Sequence, residues 1–121
     1  MNLAYLAVTG VTIVVNAGAV AADFANAGFV LKTAREVHVS RSWLPLLGAL
    51  KAAGVVGLLL GMLGIRIIGI AGAAGLVIFF TGAVIAHVRA RVFYNIAFPG
   101  FYLALAVASL ALACCRFFTA S

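Results

Sequence analysis

Polar and ionisable side chains inside long apolar runs are the residues of this sequence that could do chemistry. The first run contains five of them: Thr9, Thr12, Asn16, Asp23 and Asn26. With about 100° of rotation per residue, these side chains fall within an arc of about 100° on a helix. We therefore expect one polar stripe facing the interior of a helical bundle, on a helix that is otherwise apolar.

An aspartate and a lysine in consecutive apolar runs are placed to form an ion pair. Asp23 lies shortly before the end of the first run, near Leu31, and Lys51 lies shortly after the start of the second, at Leu44. If the two helices are antiparallel, both charges lie about 10–12 Å below the same membrane face. Such a pair could simply lock two helices together, or it could supply an acid and a base to a buried site.

Three further candidates lie near the same membrane face. His87 closes the third apolar run, where it would relay protons or would be an interfacial histidine at a helix end. Trp43 and Tyr94 lie where an aromatic belt at the headgroup level is expected, with ligand binding as the alternative. The candidate site thus has Asp23, Lys51 and His87 as catalytic residues and Asn16, Asn26, Trp43 and Tyr94 as ligand-binding residues.

Motifs for metals, cofactors and nucleotides are not found in the sequence. Cys114 and Cys115 are adjacent, whereas a redox motif places two residues between its cysteines, and two thiols are too few for structural zinc. No glycine-rich phosphate loop, HExxH or GxSxG occurs. We expect no metal site and no bound cofactor, so a redox role would take its electrons from a partner protein.

The composition assigns these residues to a membrane-embedded chain. Of the 121 residues, 67% are hydrophobic and 8% are charged, whereas about a quarter are charged in an ordinary soluble domain. This excludes a soluble domain and a disordered chain. The net charge of +6 comes mostly from basic residues at the ends of apolar runs, which suits lipid headgroups, so nucleic-acid binding is not expected.

Four runs are long enough to cross a bilayer, which takes about 20 apolar residues. They cover about residues 3–31, 44–63, 67–88 and 98–117, and the polar stretch 32–42 is expected to be a loop. Ser42 and Pro45 are expected to begin the second helix as N-cap and first-turn proline. The sequence predicts an all-α integral membrane protein, a single domain of residues 1–121 folded as an antiparallel bundle of four transmembrane helices.

Small residues indicate how these helices pack. Glycines recur at three- and four-residue spacings at Gly54, Gly57, Gly61 and Gly64, and two more lie seven apart at Gly75 and Gly82. Such residues let helix backbones approach closely in lipid. Packing inside the bundle is favoured over a seam between two copies, and a homo-oligomer is left open.

The basic residues predict the orientation in the membrane. The polar-loop side carries Lys32, Arg35, Arg41, Arg89 and Arg91, and the side of the termini carries Arg66 and Arg116. The positive-inside rule then places loops 32–42 and 89–97 in the cytoplasm and both termini outside the inner (plasma) membrane. Since no Lys or Arg precedes the first run, we expect a true span there and not a signal peptide.

Several stretches resemble the DoxX-like family of small bacterial membrane proteins. They are Ala27-Gly28 with Lys32, then Trp43, residues 47–54 with Gly57 and Gly61, residues 82–89, and Phe98-Pro99 before the Leu/Ala-rich last helix. The resemblance covers about residues 23–112 and implies a four-helix membrane bundle. For the founding members of the family it also implies a role as membrane subunits of quinone-linked oxidoreductases.

Three functions are consistent with these observations. The first is binding of a small apolar or quinone-like molecule in the bundle, as the membrane component of a redox or lipid-handling system. The second is a stand-alone, cofactor-free isomerase or cyclase for an isoprenoid-like substrate, with Asp23 as acid or base. The third is a proton-coupled exporter of the small multidrug type, which would need two protomers and which the neutralising Lys51 argues against.

Overall fold

Helices make up all the regular structure of the residues that the computed structural model describes, 3–25, 28–38, 41–94 and 96–119. They are α1 (Leu3–Phe24), α2 (Gly28–Glu36), α3 (Leu44–Met62), α4 (Arg66–Arg89) and α5 (Ala97–Thr119), with a 3₁₀ turn at Arg41–Trp43. Four of them, α1, α3, α4 and α5, are long and apolar enough to cross a membrane. The predicted four-helix membrane bundle is confirmed, and α2 is an additional element.

The first span is shorter than predicted, and much of the predicted loop 32–42 is helical. α1 ends at Phe24, because its 22 residues already extend about 33 Å, the thickness of a hydrocarbon core. α2 then mixes apolar residues with Lys32, Arg35 and Glu36, a composition typical of helices in the headgroup layer. The polarity that indicated a loop therefore belongs to one face of a short helix.

The start of α3 also differs in detail from the prediction. Trp43, not Ser42, occupies the N-cap position, and it makes no side-chain capping hydrogen bond. Pro45 lies in the first turn as expected, where the missing N–H has no helical acceptor to lose. The 3₁₀ turn is thus followed directly by the second span.

The four spans form a ring in which α1 packs on α3 and α5, and α4 packs on the same two helices. Residue pairs along α3 and α4 run in opposite directions, with Gly61 against Gly69 and Gly54 against Leu76. α1 and α4 are therefore parallel and lie diagonally across the ring. We call the end with α2, the 3₁₀ turn and residues 90–94 the α2 end, and the opposite end, with Gly64, the turn end.

Glycines of α3 form the closest helix contact, and this contact lies inside the bundle. A Cβ at Gly61 would lie 2.5 Å from Gly69 Cα, and one at Gly57 would lie 2.9 Å from Gly72 Cα. The internal-packing interpretation of these glycines is therefore correct. Gly75 is different, because a Cβ there would meet no described atom within 4 Å.

α3 and α4 end in the same hydrogen-bonded turn. Ile65 N–H donates to a carbonyl five residues back (3.0 Å), and Val92 N–H does the same at α4 (2.9 Å), as in a Schellman motif. The residue before each donor has a positive φ, 120° at Gly64 and 57° at Arg91. Glycine adopts this conformation without steric cost, whereas arginine does not.

Candidate functional site

The polar stripe of α1 faces the bundle interior, as its spacing predicted. The buried residues of this helix are Tyr5, Thr9, Thr12, Asn16 and Asp23. Thr9, Thr12 and Asn16 have no exposed surface. Asn26, the last member of the predicted stripe, lies outside the described residues. The inner face of α1 is thus polar along its length, whereas helix faces elsewhere in the core are mostly apolar.

Hydrogen bonds tie the middle of this stripe to α5 and to its own helix. Thr12 Oγ1 donates to Val8 O (2.7 Å), and the Thr12 and Ser109 hydroxyls are 2.9 Å apart. Asn16 Nδ2 donates to Thr12 O (2.9 Å). Ser109, which joins α1 to α5, was not predicted as a site residue, because a serine in an Ala/Leu-rich helix carries little signal by itself.

Asp23 and Lys51 form the predicted ion pair between α1 and α3, through Asp23 Oδ2 and Lys51 Nζ. Their side chains are only 6% and 11% exposed. Gly48, one turn before Lys51, makes room for the acid, since a Cβ at position 48 would lie 3.2 Å from Asp23 Cβ. The missing side chain at Gly48 allows α1 and α3 to approach closely enough to bury the pair.

One aromatic ring lies near the Lys51 ammonium group, and further rings continue from it across the bundle. Lys51 Nζ lies 5.4 Å from the centre of the Phe79 ring, a favourable cation–π distance. Phe79 contacts Phe80 edge to face, and Phe80 contacts Tyr102 in the same way, with ring centres 5.0 and 5.2 Å apart. Tyr102 Oη donates to Val15 O (3.3 Å). Sequence reasoning missed this aromatic layer, because phenylalanines in an apolar run look like ordinary lipid-facing residues.

His87 is buried near the α2 end of α4. Its Nδ1 lies 2.9 Å from Ala83 O, and since a carbonyl only accepts, Nδ1 carries the hydrogen and donates. Nε2 is buried and has no hydrogen-bond partner among the described residues. The structure therefore places the His87 side chain inside the bundle. A histidine that serves only as an interfacial residue at a helix end would not need this burial.

Trp43 and Tyr94 are exposed at the α2 end, with 55% and 67% of their surfaces accessible. Tyr94 Oη donates a hydrogen bond to Glu36 Oε1, and the Lys32 ammonium lies 5.7 Å from the Tyr94 ring centre. The hydrogen bond to Glu36, with smaller contributions from desolvation and from the Glu36 charge, raises the pKa of the Tyr94 phenol. These contacts attach α2 to the segment that follows α4.

The site as described has the means to hold a polar group and to move a proton, through a buried acid, a buried base and a buried imidazole. Among the described residues, no three His, Cys, Asp or Glu side chains come together as ligands for a metal ion. Cys114 and Cys115 form no disulfide bond. Asp23, Lys51 and His87 are all buried in the bundle.

Comparison with known proteins places the chain in a family. No curated protein and no solved structure is significantly similar to it. The sequence profile described as the DoxX-like family matches residues 7–109, which include α3, α4 and nearly all of the polar stripe. The chain therefore belongs to the DoxX-like family, as an integral membrane protein with four spanning helices.

Proposed function

We propose that the bundle binds a small apolar or quinone-like molecule between its helices, as the membrane component of a redox or lipid-handling system. Membership of the DoxX-like family supports the membrane setting, and the founding members' role with quinones suggests the class of ligand. The Asp23–Lys51 pair inside the bundle is the observation that carries the proposal.

Buried polar groups of this kind are expensive in a membrane. A charged side chain costs about 2.5–3.5 kcal/mol at the centre of a spanning helix, even on the mildest scale. Lys51 lies two turns inside α3, whereas Asp23 lies one residue before the end of α1 and not at the predicted depth, so its cost is lower. Four packed helices need neither Asp23 nor Lys51, since the glycines of α3 already provide close packing. Among the described residues, further buried polar atoms have no hydrogen-bond partner, namely Thr9 Oγ1 and Asn16 Oδ1 on α1 and His87 Nε2 on α4. A ligand with a polar head group would account for both features.

Each candidate residue has a place in this proposal. Asp23 and Lys51 act on the polar group of the ligand, and His87 relays protons towards the α2 end. Asn16 binds the ligand inside the bundle together with Asn26. Trp43 and Tyr94, which are exposed at the α2 end, border the route by which a molecule enters from the headgroup layer.

Acid–base catalysis without a cofactor is the second candidate, and the burial of Asp23 favours it. A carboxylate that is 6% exposed and held by one lysine can exchange a proton in a site that excludes water. An isoprenoid-like substrate would then be isomerised or cyclised. The exporter alternative is weaker, because such an exporter needs two protomers around one pathway, and here the charge of Asp23 is neutralised by Lys51 of the same chain.

The orientation and partners complete the proposal. The α2 end carries Lys32, Arg35, Arg41, Arg89 and Arg91, so this end lies in the cytoplasm and both termini lie outside the inner membrane. A redox role requires a partner protein that supplies electrons at this end. A second copy of the chain is a further partner to be tested.

Native mass spectrometry of the protein, extracted gently with its lipids, tests ligand binding. We expect one small molecule per bundle in the wild type, and its loss in the double variant Asp23→Asn with Lys51→Gln. The double variant leaves no unpaired charge and so is expected to fold. Glu36→Gln is the matched control, since it removes the carboxylate outside the bundle.

Two results would contradict the proposal. One is a wild-type protein that carries only ordinary bilayer phospholipid at every extraction condition. The other is a folded double variant that retains the same small molecule as strongly as the wild type. In either case Asp23 and Lys51 would be a structural lock between α1 and α3. Turnover of an isoprenoid-like substrate by the purified protein, lost in Asp23→Asn, would instead favour the enzyme.

A further inference from the structure

Two of the buried polar atoms that have no hydrogen-bond partner among the described residues are acceptors, one on α1 and one on α4, whereas a third, the Thr9 hydroxyl, can donate or accept. Asn16 donates its amide Nδ2 to Thr12 O, and since a carbonyl cannot donate, this bond fixes which end of the amide is the oxygen. Asn16 Oδ1 is left buried, with no hydrogen-bond partner among the described residues. The side chain has no exposed surface, so bulk water does not satisfy this oxygen.

His87, at the α2 end, also has an acceptor atom that is unpaired among the described residues. Its Nδ1 donates to Ala83 O, and Nε2 of a neutral ring with hydrogen on Nδ1 is an acceptor. This nitrogen too is buried, and no described group bonds to it. The interior therefore offers a lone pair on α1 and another on α4.

Aromatic side chains form the wall beside Asn16. Tyr102 donates its hydroxyl to Val15 O, the carbonyl of the residue before Asn16, so the phenol oxygen keeps only accepting capacity. The Tyr102 ring meets Phe80 edge to face at 5.2 Å between ring centres. Rings prefer such offset and edge contacts with other rings. An acceptor next to aromatic rings is suited to an aromatic molecule that carries a hydroxyl group.

We propose that the middle of the bundle binds an aromatic hydroxyl compound, a phenol or hydroquinone, in preference to the corresponding compound without an O–H donor. This inference rests on the proposed function and specifies its ligand: the reduced form of a quinone would be held more tightly than the oxidised form. The ligand hydroxyl donates to Asn16 Oδ1. An oxidised quinone brings only carbonyl acceptors and would leave this oxygen unpaired.

The test compares two ligands that differ by one donor, para-nonylphenol and its methyl ether para-nonylanisole. Saturable binding to the full-length protein in detergent is measured for each, with partitioning into empty micelles subtracted. We expect the phenol to bind about tenfold more tightly in the wild type, the effect of one hydrogen bond to an otherwise unpaired buried acceptor.

Two variants assign this preference to Asn16. Asn16→Leu keeps the size of the side chain and removes the acceptor, so the preference should fall to about twofold or less, with anisole binding retained. Thr81→Val is the control, because Thr81 is a polar residue on the exposed face of α4 that donates to Val77 O. It should leave the preference unchanged.

The outcomes separate this inference from the proposed function. Equal, saturable binding of phenol and anisole to the wild type would overturn the hydroxyl preference and leave ligand binding in the bundle standing. It would mean that buried water satisfies Asn16. Saturable binding of neither compound would count against both proposals. The wild-type comparison decides between these results even if Asn16→Leu fails to fold.

Discussion

Asp23 on α1 and His87 on α4 occupy equivalent positions on two parallel helices that lie diagonally across the bundle. Each ends a series of buried residues with the same spacing, Tyr5, Thr9, Thr12, Asn16 and Asp23 on α1, and Gly69, Ala73, Leu76, Phe80 and His87 on α4. One series is polar and the other is mostly apolar. Both series place their ionisable residue at the α2 end.

Replacing one member of the Asp23–Lys51 pair is expected to destabilise the protein more than replacing both. Asp23→Leu alone leaves a buried lysine without its partner and should lower the free energy of unfolding by about 3 kcal/mol or more. Adding Lys51→Met should restore most of the loss, because two apolar side chains of similar size need no partner. Thermal unfolding in detergent measures both. A double variant as unstable as the single variant would show that the unpaired lysine is not the cause of the lost stability.

Contact between α3 and α4 should tolerate no added methyl group at Gly61. A Cβ there would lie 2.5 Å from Gly69 Cα, so Gly61→Ala must separate two backbones and should cost about 2 kcal/mol or more. Gly75→Ala is the control, since no described atom lies within 4 Å of its Cβ position. It should be neutral or stabilising by up to about 1 kcal/mol. Equal melting temperatures for the two variants would contradict the close contact.

The turn after α4 should become more stable when Arg91 is replaced by glycine. Arg91 has a φ of 57°, a conformation that costs an L-residue about 1–2 kcal/mol. Part of this gain is lost to the greater freedom of glycine in the unfolded chain, so Arg91→Gly should stabilise by about 0.5–1 kcal/mol. Arg89→Gly, at the last residue of α4, should instead destabilise by up to about 1 kcal/mol. Destabilisation by both would show that the Arg91 side chain makes a stabilising contact.

The contact between Tyr94 and Glu36 should depend on alkaline pH. Because the hydrogen bond to Glu36 raises the pKa of the Tyr94 phenol, the folded protein should form phenolate at Tyr94 above the ordinary value of about 10. A raised folded-state pKa means that the contact stabilises fully below about pH 10 and is lost as the pH rises through the folded-state pKa.

Ultraviolet titration of phenolate absorbance measures this shift, with Tyr94→Phe identifying the contribution of Tyr94. Glu36→Gln removes the charged acceptor and should move the titration of Tyr94 to lower pH. Arg35→Met leaves the Glu36 hydrogen bond in place and serves as the control for changes of charge on α2. An unchanged titration in Glu36→Gln would show that Tyr94 and Glu36 do not bond in solution.

Sequence reasoning predicted most of the bundle and part of the site. The stripe of Thr9, Thr12 and Asn16 was visible because a helix repeats its faces every 3.6 residues, and polar residues in an apolar helix mark that face. The boundary of α1 was wrong, because apolar residues of α2 continue the run beyond Phe24. A continuous run of apolar residues does not by itself show where a spanning helix leaves the bilayer and where an amphipathic helix begins.

The aromatic layer and Ser109 could not be predicted, since they depend on which helix faces meet. Phe79, Phe80 and Tyr102 look like lipid-facing residues in the sequence, and only the packing of α4 against α5 brings the Phe80 and Tyr102 rings together. Glu36 is similar, because its bond to Tyr94 joins residues on two different elements. These contacts have no local signal in either segment.

The sequence by itself determined the membrane environment, the four spans, the family and the inward-facing polar stripe, because each depends on composition or on the period of one helix. Tertiary structure decided which neighbour each polar atom meets. It places the Phe79 ring near Lys51, turns the α3 glycines towards α4 and leaves the Asn16 oxygen unpaired among the described residues. These outcomes depend on distances between helices, which are set by side chains far apart in the chain.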